Sequence, residues 1–190
     1  TVSRGEALVG QGQVKEGIAQ IRQGMTAYQA TGSSQRPHYL ALLAETYGKA
    51  GQTEEGLTVL AEALDIVGKT AERGYEAELY RLRGELTLQK EFKVQGSKFQ
   101  VADSRPLNPD SQDEAEACFL KAIEIARKQQ AKSLELRAVM SLSRLWQQQG
   151  KRQEAHRMLS EIYSWFTEGF DTKDLQEAKA LLAGVSRTLD

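Results

Sequence analysis

The chain has 190 residues, a formal net charge of −1 and a pI near 6.2, with 40% apolar and 27% charged residues. This composition excludes overall disorder, and the near-neutral charge argues against nucleic acid as the main partner, because phosphates are bound by clustered basic residues. We find no apolar run long enough to span a membrane and no charged-then-apolar leader, so a cytoplasmic location is expected. The chain begins with Thr1 rather than Met, which suggests a piece of a longer protein.

Helical periodicity accounts for most of the chain. In chain order we predict a first hairpin over 2–30, helices over 37–50 and 53–69, a third hairpin from about 71, an insertion over 92–111 within that hairpin, a helix from 111 to about 130, a fourth hairpin over 131–167 and a last helix. The insertion contains a glycine and two prolines and is expected to be a long loop. We favour a disordered segment over a binding loop. Within it, 98–102 could pair briefly as an extended strand.

Several residues are predicted to begin or end these helices. Thr53 is expected to cap the helix over 53–69, and Ser111 with Glu114 three residues later has the spacing of a capping box. Asp171 or Thr172 is the expected N-cap of the last helix, and Gly184 its stop.

One pattern of small and aromatic residues recurs along these hairpins. Around the second turn it comprises, in order, Ala44, Tyr47, Gly51, Gly56, Leu60 and Ala63. Gly51 suits the left-handed position that follows a helix, and Gly56 suggests a crossing too close for a side chain. The small residue after the turn recurs as Gly17, Gly56, Ala115 and Ala155, at spacings of 39, 59 and 40, so the third copy carries roughly 20 extra residues. Such self-similarity predicts a helical solenoid.

The residue types at these recurring positions, or slots, resemble those of the tetratricopeptide repeat (TPR), although the usual TPR period of about 34 residues is shorter than the period of this chain. Three copies depart from the family pattern: Leu8 and Thr87 stand where an aromatic residue is usual, and Ser143 occupies the small slot before Trp146. The resemblance implies that residues 1–190 form a single all-α domain. Its expected architecture is a right-handed superhelix, or α-solenoid, of about four TPR-like hairpins with a C-terminal capping helix.

Three strings point to a narrower resemblance. AELYRLRGEL (77–86), EAEACFLKAIEIARKQQAKSLELRA (114–138) and WFTEGFDTKDLQEAKALL (165–182) are similar to the C-terminal TPR arm of bacterial multidomain signalling proteins with an AAA-type (STAND) ATPase. In those proteins an adenylate or guanylate cyclase or a DNA-binding domain precedes the ATPase. The resemblance therefore implies a sensor or scaffold arm, with any catalysis in upstream domains and no catalytic residue in this segment.

The residues themselves predict neither an enzyme nor a cofactor or metal site. His38 and His156 have no His, Cys or carboxylate at metal spacing on the same helix face, and Cys118 falls on an apolar helix stripe. The paired carboxylates, Glu54 with Glu55 and Glu114 with Glu116, lie in first turns, where negative charge complements the helix dipole. The glycines follow the repeat period and form no phosphate-binding motif.

Binding is the better hypothesis, because the first helix of each hairpin in such a solenoid lines a concave groove. Aligning the copies by their turns predicts ten groove residues: His38, Glu45, Lys49, Glu78, Arg81, Glu85, Arg137, Met140, Arg144 and Gln148. The arginines could hold a carboxylate or an acidic segment, and a solvated face with i,i+4 pairs such as Arg81 with Glu85 is the open alternative. The Asn and Lys set by which some TPR modules clamp a C-terminal carboxylate is missing, which argues against that role.

The sequence therefore favours a non-catalytic interaction and regulatory module. Its expected partner is a protein or peptide, or the ATPase or cyclase domains of its own full-length chain, with no nucleic acid and no membrane. The alternative is a structural unit that oligomerises by stacking its terminal repeats, and a weak homo-oligomer is left open.

Overall fold

The computed structural model describes residues 2–30, 36–70, 72–96 and 108–186. These residues form α-helices and no strand. The helices are α1 (Val2–Gly10), α2 (Val14–Ala30), α3 (Arg36–Lys49), α4 (Thr53–Lys69), α5 (Glu76–Gly96), α6 (Pro109–Lys128), α7 (Lys132–Gln148), α8 (Arg152–Tyr163) and α9 (Lys173–Ser186). None of the helices in these four ranges is both long enough and apolar enough to cross a bilayer.

Consecutive helices pair into four hairpins, α1 with α2, α3 with α4, α5 with α6 and α7 with α8. Each first helix also contacts the first helix of the next repeat, from α1 through α3, α5 and α7 to α9. The second helices α2, α4, α6 and α8 do not contact one another within the described ranges. An array whose first helices touch while its second helices are spread apart is an α-solenoid with the first helices on its inner side. The predicted all-α fold is confirmed.

Small residues make the close crossings inside the hairpins, as the repeat pattern predicts. Gly17, Gly56, Ala115 and Ala155 are all buried. Four residues after each of them comes a large apolar side chain that is at most 1% exposed, namely Ile21, Leu60, Phe119 and Leu159. The turn slot behaves as predicted too: Gly51 has φ +68°, in the left-handed region that favours glycine, and Gly12 and Gly150 are similar.

Helix α9 ends the described array because its outer face is polar. It follows α7 by 40 residues in the repeat, so Gln176 and Lys179 occupy the slots of Leu136 and Val139. Those two α7 residues are at most 1% exposed beneath α8, whereas Gln176 and Lys179 are exposed. The opposite face of α9 is buried against α7 and α8. A solenoid needs such a helix where no further repeat covers its core.

Both ends of the predicted 92–111 insertion are helical instead. Helix α5 continues to Gly96 and α6 begins at Pro109. The apolar periodicity fades after Leu88, but Gln, Lys and Glu are good helix formers, so α5 extends as a more polar helix. The remaining part of the predicted loop, 97–107, with the proposed extended segment 98–102, lies outside the described residues.

Three predicted helix ends differ from those observed. Helix α6 starts two residues before Ser111, because Asn108 is its N-cap, with Oδ1 accepting from the Asp110 backbone N–H at 3.1 Å, and because proline suits the first helical position. Thr53 lies inside α4, after an N-cap residue that makes no side-chain bond. Gly184 also lies within its helix, since one glycine costs only about 1 kcal/mol and does not stop α9.

Candidate functional site

All ten predicted groove residues lie on the adjoining first helices α3, α5 and α7, whose shared surface with α9 we call the inner face. Helix α3 carries Glu45 and Lys49, α5 carries Glu78, Arg81 and Glu85, and α7 carries Arg137, Met140, Arg144 and Gln148. The first of the ten, His38, is also on α3 and is described separately below. The structure thus places the ten residues on the first helices of three successive repeats.

The centre of the inner face is a buried ion pair on α5. Glu78 is 4% exposed and Arg81 is 6% exposed. The guanidinium donates two hydrogen bonds to the carboxylate, from Nε to Oε2 at 2.9 Å and from Nη2 to Oε1 at 2.7 Å, and its Nη1 lies 2.5 Å from Glu85 Oε1. Burial lowers the pKa of Arg81, but the bonds and charges of Glu78 and Glu85 outweigh burial and raise the pKa above its ordinary value. Arg81 is therefore always charged.

Helix α7 joins this pair to α9. Arg137 Nη1 lies 3.0 Å from Glu78 Oε1, and its Nε lies 3.9 Å from Asp174 Oδ2. About two helical turns further along α7, Arg144 Nη2 donates to Glu177 Oε2 at 3.2 Å. The two α9 carboxylates thus neutralise the two α7 arginines that the sequence offered as ligands for an acidic segment.

Helix α3 completes the network on the other side. Lys49 Nζ lies 2.9 Å from Glu45 Oε1. Partial burial raises the pKa of Glu45, but the hydrogen bond and charge of Lys49, with the charges of Arg137 and Arg81, outweigh burial and hold the pKa below its ordinary value. Gln89 on α5 donates to the Gly48 carbonyl at 2.9 Å and ties the two helices together.

A small cavity of about 230 Å³ opens on the inner face between α5 and α7. Leu88, Phe119 and Leu145 provide an apolar lining. Its polar lining includes three predicted residues, Glu85, Arg144 and Gln148, together with Gln89 and Ser141, whose hydroxyl donates to Glu85 Oε1 at 2.8 Å. An apolar lining with a few convergent polar groups is the usual form of a binding pocket. This inner cavity is the best-defined feature of the candidate site.

Sequence reasoning missed part of this surface. Ser141 lies four residues after Arg137 and three before Arg144, so helical spacing would have placed it on the same face. Glu177 follows Arg137 by the 40-residue repeat and would have been found by extending the alignment to α9. Leu88 lies three residues after Glu85 and seven after Arg81 on α5, so the same helical spacing would have placed it on this face as well.

Two predicted residues lie apart from the charged network. Met140 is buried in the hydrophobic core formed by α6 to α9, because its position on α7 faces the neighbouring helices rather than the groove. It is therefore a packing residue, which differs from the prediction. His38 belongs to an aromatic cluster, with its ring centroid 4.3 Å from that of Tyr75 and 5.2 Å from that of Tyr39.

Reactive groups are few in the part of the chain that the structure describes. No group of three His, Cys, Asp or Glu side chains there is arranged to hold a metal ion. Cys118 is buried, and burial is the largest influence on its thiol, raising the pKa above its ordinary value. A thiol with a raised pKa is a weak nucleophile.

Comparison with known proteins places the fold. No family model matches the chain, and no curated protein matches it. Among solved structures, the TPR-like repeats of a kinesin light chain-like protein from Podosopora anserina align over 98% of this chain and 83% of theirs, with a TM-score of 0.62 and 18% identity. A variant of those repeats that carries one substitution aligns over the same shares of both chains, with a TM-score of 0.63 and 17% identity.

A second solved structure, the apo form of RapI, aligns with 99% of this chain and 47% of its own, with a TM-score of 0.59 and 14% identity. The chain thus spans about half the length of RapI. At these identities the likeness concerns the fold alone, and it shows that the chain has a TPR-like helical-repeat fold.

Proposed function

We propose that this protein is a non-catalytic interaction module that binds a segment of a protein partner along its inner face. The observation that carries the proposal is the inner cavity between α5 and α7, where an apolar floor meets Glu85, Arg144 and Gln148. A cavity of about 230 Å³ is suited to one apolar side chain of a bound segment rather than to a whole small molecule, since ligand pockets are usually about 300 Å³ or more.

Charge neutralisation on the inner face decides how the segment is held. Arg81, Arg137 and Arg144 each already have a carboxylate partner within the chain. An acidic segment would have to displace those carboxylates, which would cost about as much as the new pairs contribute. The apolar contact therefore provides most of the affinity, and the polar lining fixes the orientation of the segment.

The non-catalytic assignment is supported by the state of the reactive groups. The carboxylates of the inner face are neutralised by arginine or lysine, and the Cys118 thiol is buried. His38 packs on aromatic rings, and His156 Nδ1 lies 3.4 Å from the Ser160 hydroxyl. Each of these groups has a structural role that accounts for its position.

We base a narrower assignment on the three sequence strings that resemble the TPR arm of bacterial signalling proteins. String 77–86 contains the buried pair of α5, and string 165–182 contains the α9 carboxylates that complete the inner face. We assign the module to the regulatory arm of a cytoplasmic bacterial signalling ATPase or nucleotide cyclase. In that setting the bound segment belongs to another protein or to the ATPase or cyclase domains of the same chain.

Replacing Leu88 by glutamine tests the inner cavity. The exchange keeps the size of the side chain but removes apolar surface from the cavity, so binding of a segment selected from a displayed random-peptide library should weaken about tenfold or more. The matched control is Leu120→Gln on α6, an exposed leucine that does not line the inner cavity, which should leave the affinity unchanged. Fluorescence anisotropy with the labelled peptide measures both, and equal affinity of the two variants would show that the segment binds elsewhere.

A second candidate function, self-association, is favoured by the corner between α8 and α9. Trp165 is 58% exposed and Phe170 is 48% exposed there. Large aromatic side chains exposed near one end of the array are the kind of residue that anchors interfaces between subunits. A weak homo-oligomer would use this corner.

Light scattering at several protein concentrations distinguishes the two functions. If the corner joins subunits, the mean mass of the wild type should rise with concentration and the Trp165→Ala variant should remain a monomer. The Leu120→Ala variant removes an exposed leucine elsewhere and serves as the control. A wild type that is monomeric at every concentration would contradict self-association and leave the interaction module unaffected.

A further inference from the structure

A second and larger cavity lies on the outer side of the solenoid. It encloses about 430 Å³ between α4 and α6, which both pack on α5 and do not touch each other in the described ranges. Leu57, Ala61 and Leu64 of α4 form one wall, and Thr87 of α5 lies opposite. Thr87 is the residue that occupies the aromatic slot in the third repeat.

In the preceding repeat the aromatic slot is occupied by Tyr47. Tyr47 of α3 is buried, and its Cβ lies 3.4 Å from the position that a Cβ on Gly56 of α4 would take. Arg22 of α2 donates to the Tyr47 hydroxyl from Nη2 and lies over its ring, 5.7 Å from the centroid. The tyrosine and the arginine thus occupy the space between α2 and α4.

The repeat spacing shows that the positions equivalent to Arg22 and Tyr47 hold smaller residues one repeat later. Ala61 follows Arg22 by 39 residues, and Thr87 follows Tyr47 by 40. Both replacements line the outer cavity. At the next crossing the equivalent positions hold Leu120 and Trp146, so large side chains return. The outer cavity therefore lies at the crossing where, one repeat earlier, Arg22 and Tyr47 pack together.

Both cations that line the outer cavity, Arg83 and Lys90, are paired with carboxylates. Arg83 lies 3.1 Å from Glu114, and Lys90 lies 2.9 Å from Glu54. Ser111 donates to Glu91 Oε2 at 3.3 Å. A site of this kind favours a neutral ligand with an apolar body and one polar tip. An apolar cavity of about 150 Å³ already holds benzene, so the outer cavity has room for a larger ring.

From this geometry we propose that the outer cavity binds an aromatic side chain of the tyrosine or tryptophan type, presented by a segment of a partner protein. The ring would lie against Leu57 and Leu64 in the space that Tyr47 fills one repeat earlier, and its hydroxyl or indole N–H would reach the polar lining at Thr87 and Glu91. This site lies on the side of the array opposite to the inner cavity, and it does not depend on the proposed function of the inner face.

The test is an NMR titration of the whole chain with 4-methylphenol, 3-methylindole and N-acetyl-tyrosine amide. All three should shift the backbone amides of 57–64 and 83–90 in a saturable way, with dissociation constants in the millimolar range that such small ligands give. Thr87→Tyr restores the ring of the second repeat and should weaken all three by about tenfold or more. Thr87→Ser keeps the cavity open and should bind as the wild type does.

The double variant Ala61→Arg/Thr87→Tyr rebuilds the Arg22 and Tyr47 pair and should also lose binding while its melting temperature stays at or above that of the wild type. The proposal is overturned if the wild type shows no saturable shifts, or if Thr87→Tyr binds as well as Thr87→Ser. Binding of the two free rings without the tyrosine amide would also overturn it, since the site would then accept a small molecule and exclude a chain-borne side chain.

Discussion

Arg81→Met is expected to lower the free energy of unfolding by about 3 kcal/mol. Methionine keeps much of the length of the side chain, so the loss comes mainly from charge rather than from a cavity. Glu78 is 4% exposed and would keep only Arg137 as a close cation. Leaving a buried carboxylate incompletely paired is one of the few changes that cost this much. Urea denaturation followed by far-UV circular dichroism measures the difference.

Arg83→Met is the matched control for this prediction. Arg83 lies two residues away on the same helix, its side chain is 44% exposed, and it pairs with Glu114 across to α6. A surface ion pair of this kind contributes about 0–1 kcal/mol, so the control should be nearly as stable as the wild type. The double variant Glu78→Gln/Arg81→Met removes both buried charges and should recover part of the loss. Equal, small losses for Arg81→Met and Arg83→Met would show that the buried network does not hold the inner face together.

The fold could be predicted because each repeat has the same residue types at its turn and at the crossing of its two helices. Gly51 stands where the chain must turn with positive φ, and Ala44 stands where two helices cross closely. These requirements recur at 39 or 40 residues, apart from the third repeat with its roughly 20 extra residues, so spacing reveals both the helices and their pairing. Where the spacing continues to α9, the change from Leu136 and Val139 to Gln176 and Lys179 also explains why the core ends there.

The inner face was predicted as a list of residues but not as a network. Glu78 and Arg81 have the i,i+3 spacing of an ordinary surface pair, and nothing on α5 itself indicates that they are buried. Their burial results from α3 and α7 packing on either side of α5. Which carboxylate neutralises Arg144 is likewise decided by α9, 33 residues further along the chain. Sequence spacing identifies the face of one helix, whereas ion pairs between repeats depend on how neighbouring helices are rotated.

Departures from the repeat pattern proved as informative as agreement with it. Thr87 looked like a weak match to the aromatic slot, and the structure shows that a cavity of about 430 Å³ accompanies it. Ala61, which stands on α4 where α2 has Arg22, is small as well and lines the same cavity. Such paired truncations can be read from an alignment of the repeats once the contacting positions are known from one of them.

Gly56→Leu is expected to lower the melting temperature by roughly 10 °C, which corresponds to about 3 kcal/mol for a chain of this size. A Cβ at this position would lie 2.7 Å from Leu86 Cδ1 and 3.2 Å from the Ala44 carbonyl oxygen. The leucine of α5 could rotate away, but the carbonyl belongs to the backbone of α3. The larger side chain would therefore force α3 and α4 apart and separate the second repeat from the third. Thermal unfolding followed by circular dichroism measures the change.

Gly68→Leu in the same helix isolates the cause. A Cβ on Gly68 would meet no atom within 4 Å, so the leucine there would extend into solvent. Since leucine is a better helix former than glycine, this variant should be as stable as the wild type or up to about 1 kcal/mol more stable. The two variants share the helix, the residue removed and the residue added, and they differ only in whether another helix lies against the position. If both melted at the same temperature, the close crossing of α3 and α4 would not exist, and the repeat alignment that depends on Gly56 would lose its physical basis.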